Sequence, residues 1–330
     1  MTKKAVIVLF YALLVWGRAH ADVPSALPAY HPVQELEGEL RIWGSPSDGP
    51  LLNRWAVGFR QFHPKLRLTS TLHGPDSTLA GIYSGVADLA FMAREMRAPV
   101  ERMAFEWVYH HPAFSVDIAN AGLNTDRPGA NLAIMVHRDN PIAQITLTQL
   151  REILGAEQWR GEKSIRTWGN LGLTGAWKDR PIHVYGPTVD SIPAMFMRAT
   201  VLKGSYKWNP DYQEIATDHK IAALLARDPA GIAYMPLRET SDQVKPLALS
   251  AAEEGPFVPL TKESVAAHTY PLARVITMVL NREPGKPVEA RTKEFLRYVL
   301  SRDGQAEIAR DAAYIPLSPA DAQAQLDRLN

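Results

Sequence analysis

Three short loops of this chain gather hydroxyls and acids just ahead of apolar runs. They are Gly44-Ser45-Pro46-Ser47-Asp48-Gly49-Pro50, Gly74-Pro75-Asp76-Ser77-Thr78 and Gly186-Pro187-Thr188-Val189-Asp190-Ser191. Each Ser or Thr hydroxyl can donate one hydrogen bond. The helix expected after each loop aims its free N–H groups and positive dipole end at the same place. Several helix starts converging on a cleft make an anion site that needs few formal charges. The candidate ligand-binding residues in these loops are Ser45, Ser47, Asp48, Ser77, Thr78, Thr188, Asp190 and Ser191. Ser, Thr and Asp are also the preferred N-caps of any helix. One loop alone therefore reads as a cap, and the anion reading rests on all three together.

Arg94 is the sharper candidate. It closes the apolar run Ala87–Ala93 in Met92-Ala93-Arg94-Glu95, at the end of a strand where open parallel sheets bind ligands. There a guanidinium can grip an oxyanion with two parallel hydrogen bonds, or it can pair with Glu95 or another surface acid. Catalytic signatures are missing: the chain has no Gly-x-Ser-x-Gly, no His-Glu-x-x-His and no Gly-x-x-x-x-Gly-Lys. His110-His111 are adjacent, which rarely presents both rings to one metal. Gly169, Gly172 and Gly175 lie between tryptophans, not between a strand and a helix, and read as a turn-rich loop. Trp43, Trp55, Trp107, Trp159, Trp168 and Trp177 read as core or lobe-packing residues. No catalytic residue, no metal site and no cofactor is expected.

The elements that must position these loops follow from periodicity. Leu40–Trp43 reads as a strand, Leu51, Leu52, Trp55, Phe59 and Phe62 as the face of a helix, and Leu66–Leu72 as a strand. A short helix over Thr78–Ser84 and a strand over Ala87–Ala93 complete βαβαβ, which implies a parallel sheet with helices on its faces. The rhythm returns in strand Asn131–His137, helix Leu147–Leu154 behind a Thr146/Gln149 capping box, and strand Pro181–Gly186. A helix carrying Met195, Phe196, Ala199 and Leu202 follows, then one capped by Asp218, and strands Gly231–Met235 and Val244–Leu249. Strand Arg274–Arg282 and helices near Val288–Leu300 and Gly304–Ala312 close the chain. Asn124–Gly129 and Ala251–Pro259 are polar, turn-rich stretches that read as crossings between two lobes. Residues 22–128 would then start domain I, 129–250 form domain II, and 251–330 return to domain I.

Composition sets the outer limits. Lys3-Lys4, the apolar run Ala5–Trp16 and Ala19-His20-Ala21 form the pattern of a secretory signal peptide, residues 1–21. Its run is shorter than the roughly 17–25 residues a membrane span requires. Removing Lys3, Lys4 and Arg18 takes the formal net charge from +1 to −2, which offers no general attraction to nucleic acid or membrane. There are no cysteines, which excludes disulfides, thiolate metal sites and cysteine nucleophiles.

These pieces resemble a family. Gly44-Ser45, Gly74–Thr78, Gly85-Val86-Ala87-Asp88-Leu89-Ala90-Phe91-Met92-Ala93-Arg94, Ala133–Ile142 with Leu147-Thr148-Gln149-Leu150, Tyr270-Pro271-Leu272-Ala273-Arg274, Ser301-Arg302-Asp303-Gly304-Gln305 and Tyr314-Ile315-Pro316-Leu317 occur in the order found in the phosphate-binding proteins of bacterial phosphate ABC importers. The resemblance implies an α/β, two-lobed type II periplasmic-binding-protein fold, each lobe a mostly parallel sheet flanked by helices, with the ligand between the lobes. It further implies a monomeric, non-enzymatic periplasmic receptor for phosphate or a similar small anion that serves a membrane ABC permease. By that resemblance Ser45, Ser47, Ser77, Arg94 and Ser191 are ligand-binding. The third loop departs from the family pattern. Pro187 stands where an arginine is usual, and Ser191-Ile192-Pro193 stands where Ser-Gly-Thr is usual, removing one guanidinium, one hydroxyl and backbone donors. Two alternatives stay open: a degenerate receptor acting as a sensor or partner-binding subunit, and a secreted phosphoester hydrolase.

Overall fold

The structure is a computed structural model that describes residues 26–127, 129–157, 163–311 and 313–330. The expected signal peptide (1–21), Pro128 at the end of the first expected segment, and Trp159 lie outside the described residues. The chain runs β1 (Gly38–Gly44), α1 (Gly49–Phe62), β2 (Leu66–Leu72), α2 (Ala80–Tyr83), β3 (Leu89–Met92), α3 (Val100–Tyr109) and β4 (Phe114–Ala121). It continues with β5 (Ala133–His137), β6 (Gln144–Thr146), α4 (Leu147–Leu154), β7 (His183–Gly186), α5 (Ile192–Thr200), β8 (Tyr212–Glu214), α6 (Asp218–Leu225), β9 (Gly231–Met235), β10 (Val244–Pro246), β11 (Ala248–Ser250) and α7 (Lys262–Ala266). It ends with β12 (Val275–Leu280), α8 (Ala290–Leu300), α9 (Arg302–Asp311), β13 (Tyr314–Ile315) and α10 (Pro319–Arg328).

Two sheets organise these elements. The first has strand order β13-β4-β12-β3-β1-β2 and the second β10-β5-β9-β7-β8, with β11 and β6 as a separate pair. Both sheets are mixed. Within them parallel pairing is confined to β1 with β2 and β3, and to β7 with β8 and β9; the separate β11–β6 pair is also parallel. The strands that arrive from the lobe crossings, β12 and β5, run antiparallel to their neighbours. Among the described residues no helix is long and apolar enough to cross a membrane.

Each sheet has its own core. In the first, Leu51, Leu52, Trp55 and Phe59 form the buried stripe of α1, which packs on α8 and α9. The Trp55 indole N–H donates to Gly304 O at 3.0 Å, so its one polar atom is satisfied inside the core. In the second, Val184, Phe196, Met197, Ile221, Leu225, Ile232, Tyr234 and Trp168 pack around β7 and β9. Trp55 and Trp168 are therefore core residues as expected. Trp107 is not: it is 77% exposed on α3.

Several local expectations need correction. Residues 76–79 form turns and the helix over Thr78–Ser84 is only Ala80–Tyr83. Thr217, not Asp218, caps α6, its hydroxyl accepting from Lys220 N. Val244–Leu249 is two strands, β10 and β11, serving different sheets. Leu260, Val265, Tyr270 and Leu272 pack in the second core, and the next strand of the first sheet begins at Val275.

The chain passes between the lobes near Ala121, Asn131 and Leu132 and again near Tyr270 and Arg274, and these two crossings are bonded to each other. Asn131, fully buried, donates from Nδ2 to Ala121 O at 2.6 Å and accepts at Oδ1 from Arg274 N at 2.9 Å. Ala121 N donates to Arg274 O at 2.9 Å and Tyr270 OH to Leu132 O at 2.9 Å. Gly129 meets the first lobe where no side chain fits, since a Cβ there would lie 1.7 Å from Ala93 O. Truncating Asn131 strands a buried carbonyl and a buried N–H, each worth about 1–3 kcal/mol when unsatisfied. Asn131→Ala is expected to lower the urea unfolding free energy by at least about 2 kcal/mol.

Candidate anion-binding site

Parallel pairing of β1 with β3 brings the carboxyl ends of both strands to one edge of the first sheet, where α1 begins. The first loop is built around Asp48. Its carboxylate is fully buried and sits at the start of α1, where a negative charge is favoured. Oδ2 accepts from Ser45 N at 3.1 Å. Oδ1 accepts from Tyr314 OH at 2.9 Å and Ser47 Oγ at 3.5 Å, with Arg127 at 3.6 Å. Burial pushes the Asp48 carboxyl above its ordinary value, against the opposing pull of the Tyr314, Ser45 and Ser47 hydrogen bonds and the Arg127 charge. Ser47 Oγ also donates to Ser45 Oγ at 3.3 Å.

The second loop joins the first through Gly74 N, which donates to Gly44 O at 3.4 Å. Gly74 has φ of +127°, a conformation that suits glycine. Its carbonyl accepts from both Ser77 Oγ at 3.1 Å and Thr78 Oγ1 at 3.0 Å. These two hydroxyl protons are therefore committed to the backbone, leaving the oxygens as acceptors.

Arg94 is 3% exposed. Its main partner is Glu101 of α3, held bidentately at 2.9 and 2.6 Å, and the exposed carboxylate of Asp76 lies 3.6 Å from the same guanidinium. The guanidinium also donates to Glu95 O at 2.8 Å and Pro75 O at 2.5 Å, while Nε has no partner. Burial alone would raise the Glu101 carboxyl, but the hydrogen bonds from Arg94 and Arg97 N, with both arginine charges, hold it below its ordinary value. The Glu95 carboxylate turns the other way and pairs with Arg274 at 2.8 and 2.5 Å.

Two cavities meet at Arg94. One is enclosed by Ser45, Asp48, Pro75, Thr78, Phe91, Met92, Ala93 and Arg94. At about 10 Å³ it has room for about one water. The other lies between the lobes, about 120 Å³, with Arg94, Glu95, Met96, Arg97 and Ala98 on one side and the α5 residues Ile192, Met195, Phe196, Arg198, Ala199 and Thr200 on the other. The Arg274 guanidinium lies 4.5 Å from the ring centroid of Phe196, one of these lining residues.

Of the nine candidates, Ser45, Asp48, Thr78 and Arg94 share the small cavity. Ser47 is bonded to its rim, and Ser77 lies one residue outside its lining. The third loop does not join them. Ser191 caps α5, accepting from Ala194 N at 3.4 Å, Thr188 and Asp190 are exposed, and none of the three lines either cavity. Tyr212 OH donates to Pro187 O at 2.6 Å and Val189 N to Glu214 Oε2 at 2.8 Å, anchoring that loop to β8. Sequence reasoning missed Glu101, Arg274 and Phe196. The i, i+4 spacing of Arg97 and Glu101 was visible, but nothing local shows that Glu101 reaches back to Arg94.

Comparison with known proteins agrees with this architecture. The model of the PBP superfamily domain matches residues 31–303. The chain is 30% identical to the phosphate-binding protein PstS of Pseudomonas aeruginosa over 94% of its own length and 93% of that protein's. It superposes on PstS from Borrelia burgdorferi with a TM-score of 0.62 at 16% identity, covering 86% of this chain and all of the other. For an ABC-type phosphate transport receptor from Vibrio cholerae the TM-score is 0.57 at 20% identity, covering 84% of this chain and 99% of that one. Read together with two sheets that meet across a cleft, these matches show that the chain belongs to the PBP superfamily of binding proteins, in the family of PstS.

Proposed function

We propose that this protein is an exported receptor that captures phosphate or a similar small oxyanion between its lobes and passes it, as a monomer, to a membrane ABC permease. The observation that carries the reading is the polar cavity at the head of α1, where Ser45, Asp48, Thr78 and Arg94 converge. A buried guanidinium with an unpartnered Nε, beside a helix start, favours an anionic guest. Export rests on the leader pattern of residues 1–21. In this reading the lobes are residues 26–121 with 275–330, and 122–274. They close on the anion by hinge motion at the paired crossings. The anion enters the 10 Å³ cavity only if Arg94 or the Ser45–Asp48 loop moves. The P. aeruginosa relative named as a phosphate-binding protein supports phosphate as the first ligand to test. Among the described residues no group of acids and histidines could hold a metal.

A second reading is a degenerate receptor that binds a partner and no anion. It is favoured by the third loop, whose Thr188, Asp190 and Ser191 stay outside the cavities.

Titration calorimetry with phosphate, arsenate and sulfate separates the two. The receptor reading expects one-to-one binding heat from at least one of them, and none from any would leave the degenerate reading. Replacing Arg94→Met together with Glu101→Gln avoids stranding a buried carboxylate. That double variant should weaken binding by about 1.5–3 kcal/mol, roughly 10- to 150-fold.

The lowered Glu101 carboxyl also sets a pH dependence. An acid whose folded value is depressed contributes stability above its unfolded pKa, about 4.3 for Glu, and that contribution is lost as pH falls through the folded value. Urea midpoints of the native protein should therefore exceed those of Glu101→Gln at about pH 6, and the gap should narrow steadily below about pH 4.

A further inference from the structure

We infer that the cleft takes an organic oxyanion, a small phosphonate or phosphate monoester whose apolar substituent lies against Met96, Ile192, Met195 and Phe196. This inference rests on the anion-receptor reading and specifies its ligand class. The interlobe cavity, about 120 Å³, is a little smaller than the roughly 150 Å³ pocket known to admit benzene. It therefore suits a substituent of about three to six carbons.

The chemistry of its walls is divided. Four apolar side chains from both lobes face the space, and none of them can donate a hydrogen bond to an oxyanion. The second lobe brings few polar groups to it. Thr200 Oγ1 donates to Phe196 O at 2.7 Å, which commits its proton. Arg198 lies with its guanidinium 3.9 Å from the Tyr206 ring centroid. On the first-lobe side Arg94 borders both cavities, and Glu95 has its charge matched by Arg274. An inorganic oxyanion filling this space would face carbon on much of its surface and lose water without replacement. An oxyanion with a hydrocarbon tail keeps its head at the arginines and gives the carbon walls a partner.

Burying one methylene is worth about fourfold in affinity. Calorimetric titration of the full chain with inorganic phosphate, methylphosphonate, propylphosphonate and phenylphosphonate at one pH reads this directly. The expected result is a rise of roughly tenfold or more from methyl- to propylphosphonate, with the rise reduced in Met195→Ser. Phosphate binding as tightly as every phosphonate, or no rise with chain length, would overturn the inference and leave the anion receptor standing. A rise that Met195→Ser leaves intact would also overturn it, because the tail would then lie elsewhere. Silence from all four ligands with folded protein overturns the inference, and silence from arsenate and sulfate as well removes the receptor reading with it.

Discussion

Two guanidinium groups are buried where the lobes meet, and the architecture around the cleft follows from the need to match them. An unpaired charge removed from water costs several kcal/mol, so Arg94 and Arg274, 3% and 2% exposed, must each find an acid. Arg94 takes Glu101, which fixes α3 against the end of β3. Arg274 takes Glu95, which fixes the second crossing against the first lobe. The consecutive residues Arg94 and Glu95 thus face opposite ways, one toward α3 and one toward the hinge. Each pair is held by several hydrogen bonds, the condition under which a buried ion pair is tolerated.

The same accounting shapes the rest of the site. Asp48 is buried at the head of α1, and the groups nearest it are donors: Ser45 N–H, Ser47, Tyr314 and Arg127. Ser77 and Thr78 spend their protons on Gly74 O. Apart from Arg94 Nε, which has no partner, the polar groups named here are engaged internally, so a guest must exchange most of its contacts rather than fill vacant ones.

Much of the scaffold was legible in the residues because it rests on local periodicity. The stripe Leu51, Leu52, Trp55 and Phe59, the Thr146/Gln149 capping box and the strands β1, β2, β5, β7 and β9 are short-range patterns. Helix α3 and strand β4 were not read. Val100, Met103 and Trp107 lie on exposed surface of α3, so its sequence does not show an ordinary apolar face. Of the candidate residues, those in the first two loops gather with Arg94 because β2 and β3 flank β1 and both run parallel to it. The third loop was grouped with them by analogy of pattern, and the β8 anchor that holds Pro187 and Val189 is a long-range contact no local window contains. The reach of Glu101 to Arg94 escaped for the same reason.

The strand order has a consequence for how the chain acquires its shape. All strands of the second sheet come from one stretch, Ala133 to Pro246, so its pairings close over modest loops. In the first sheet β12 sits between β3 and β4, although both of those precede the entire second lobe in the chain. The two halves of that sheet cannot be joined until the later strand arrives, and closing so long a loop is entropically slow. The second lobe is thus placed to fold first, on its own. The first waits with unpaired strand edges that a partly made chain must keep shielded.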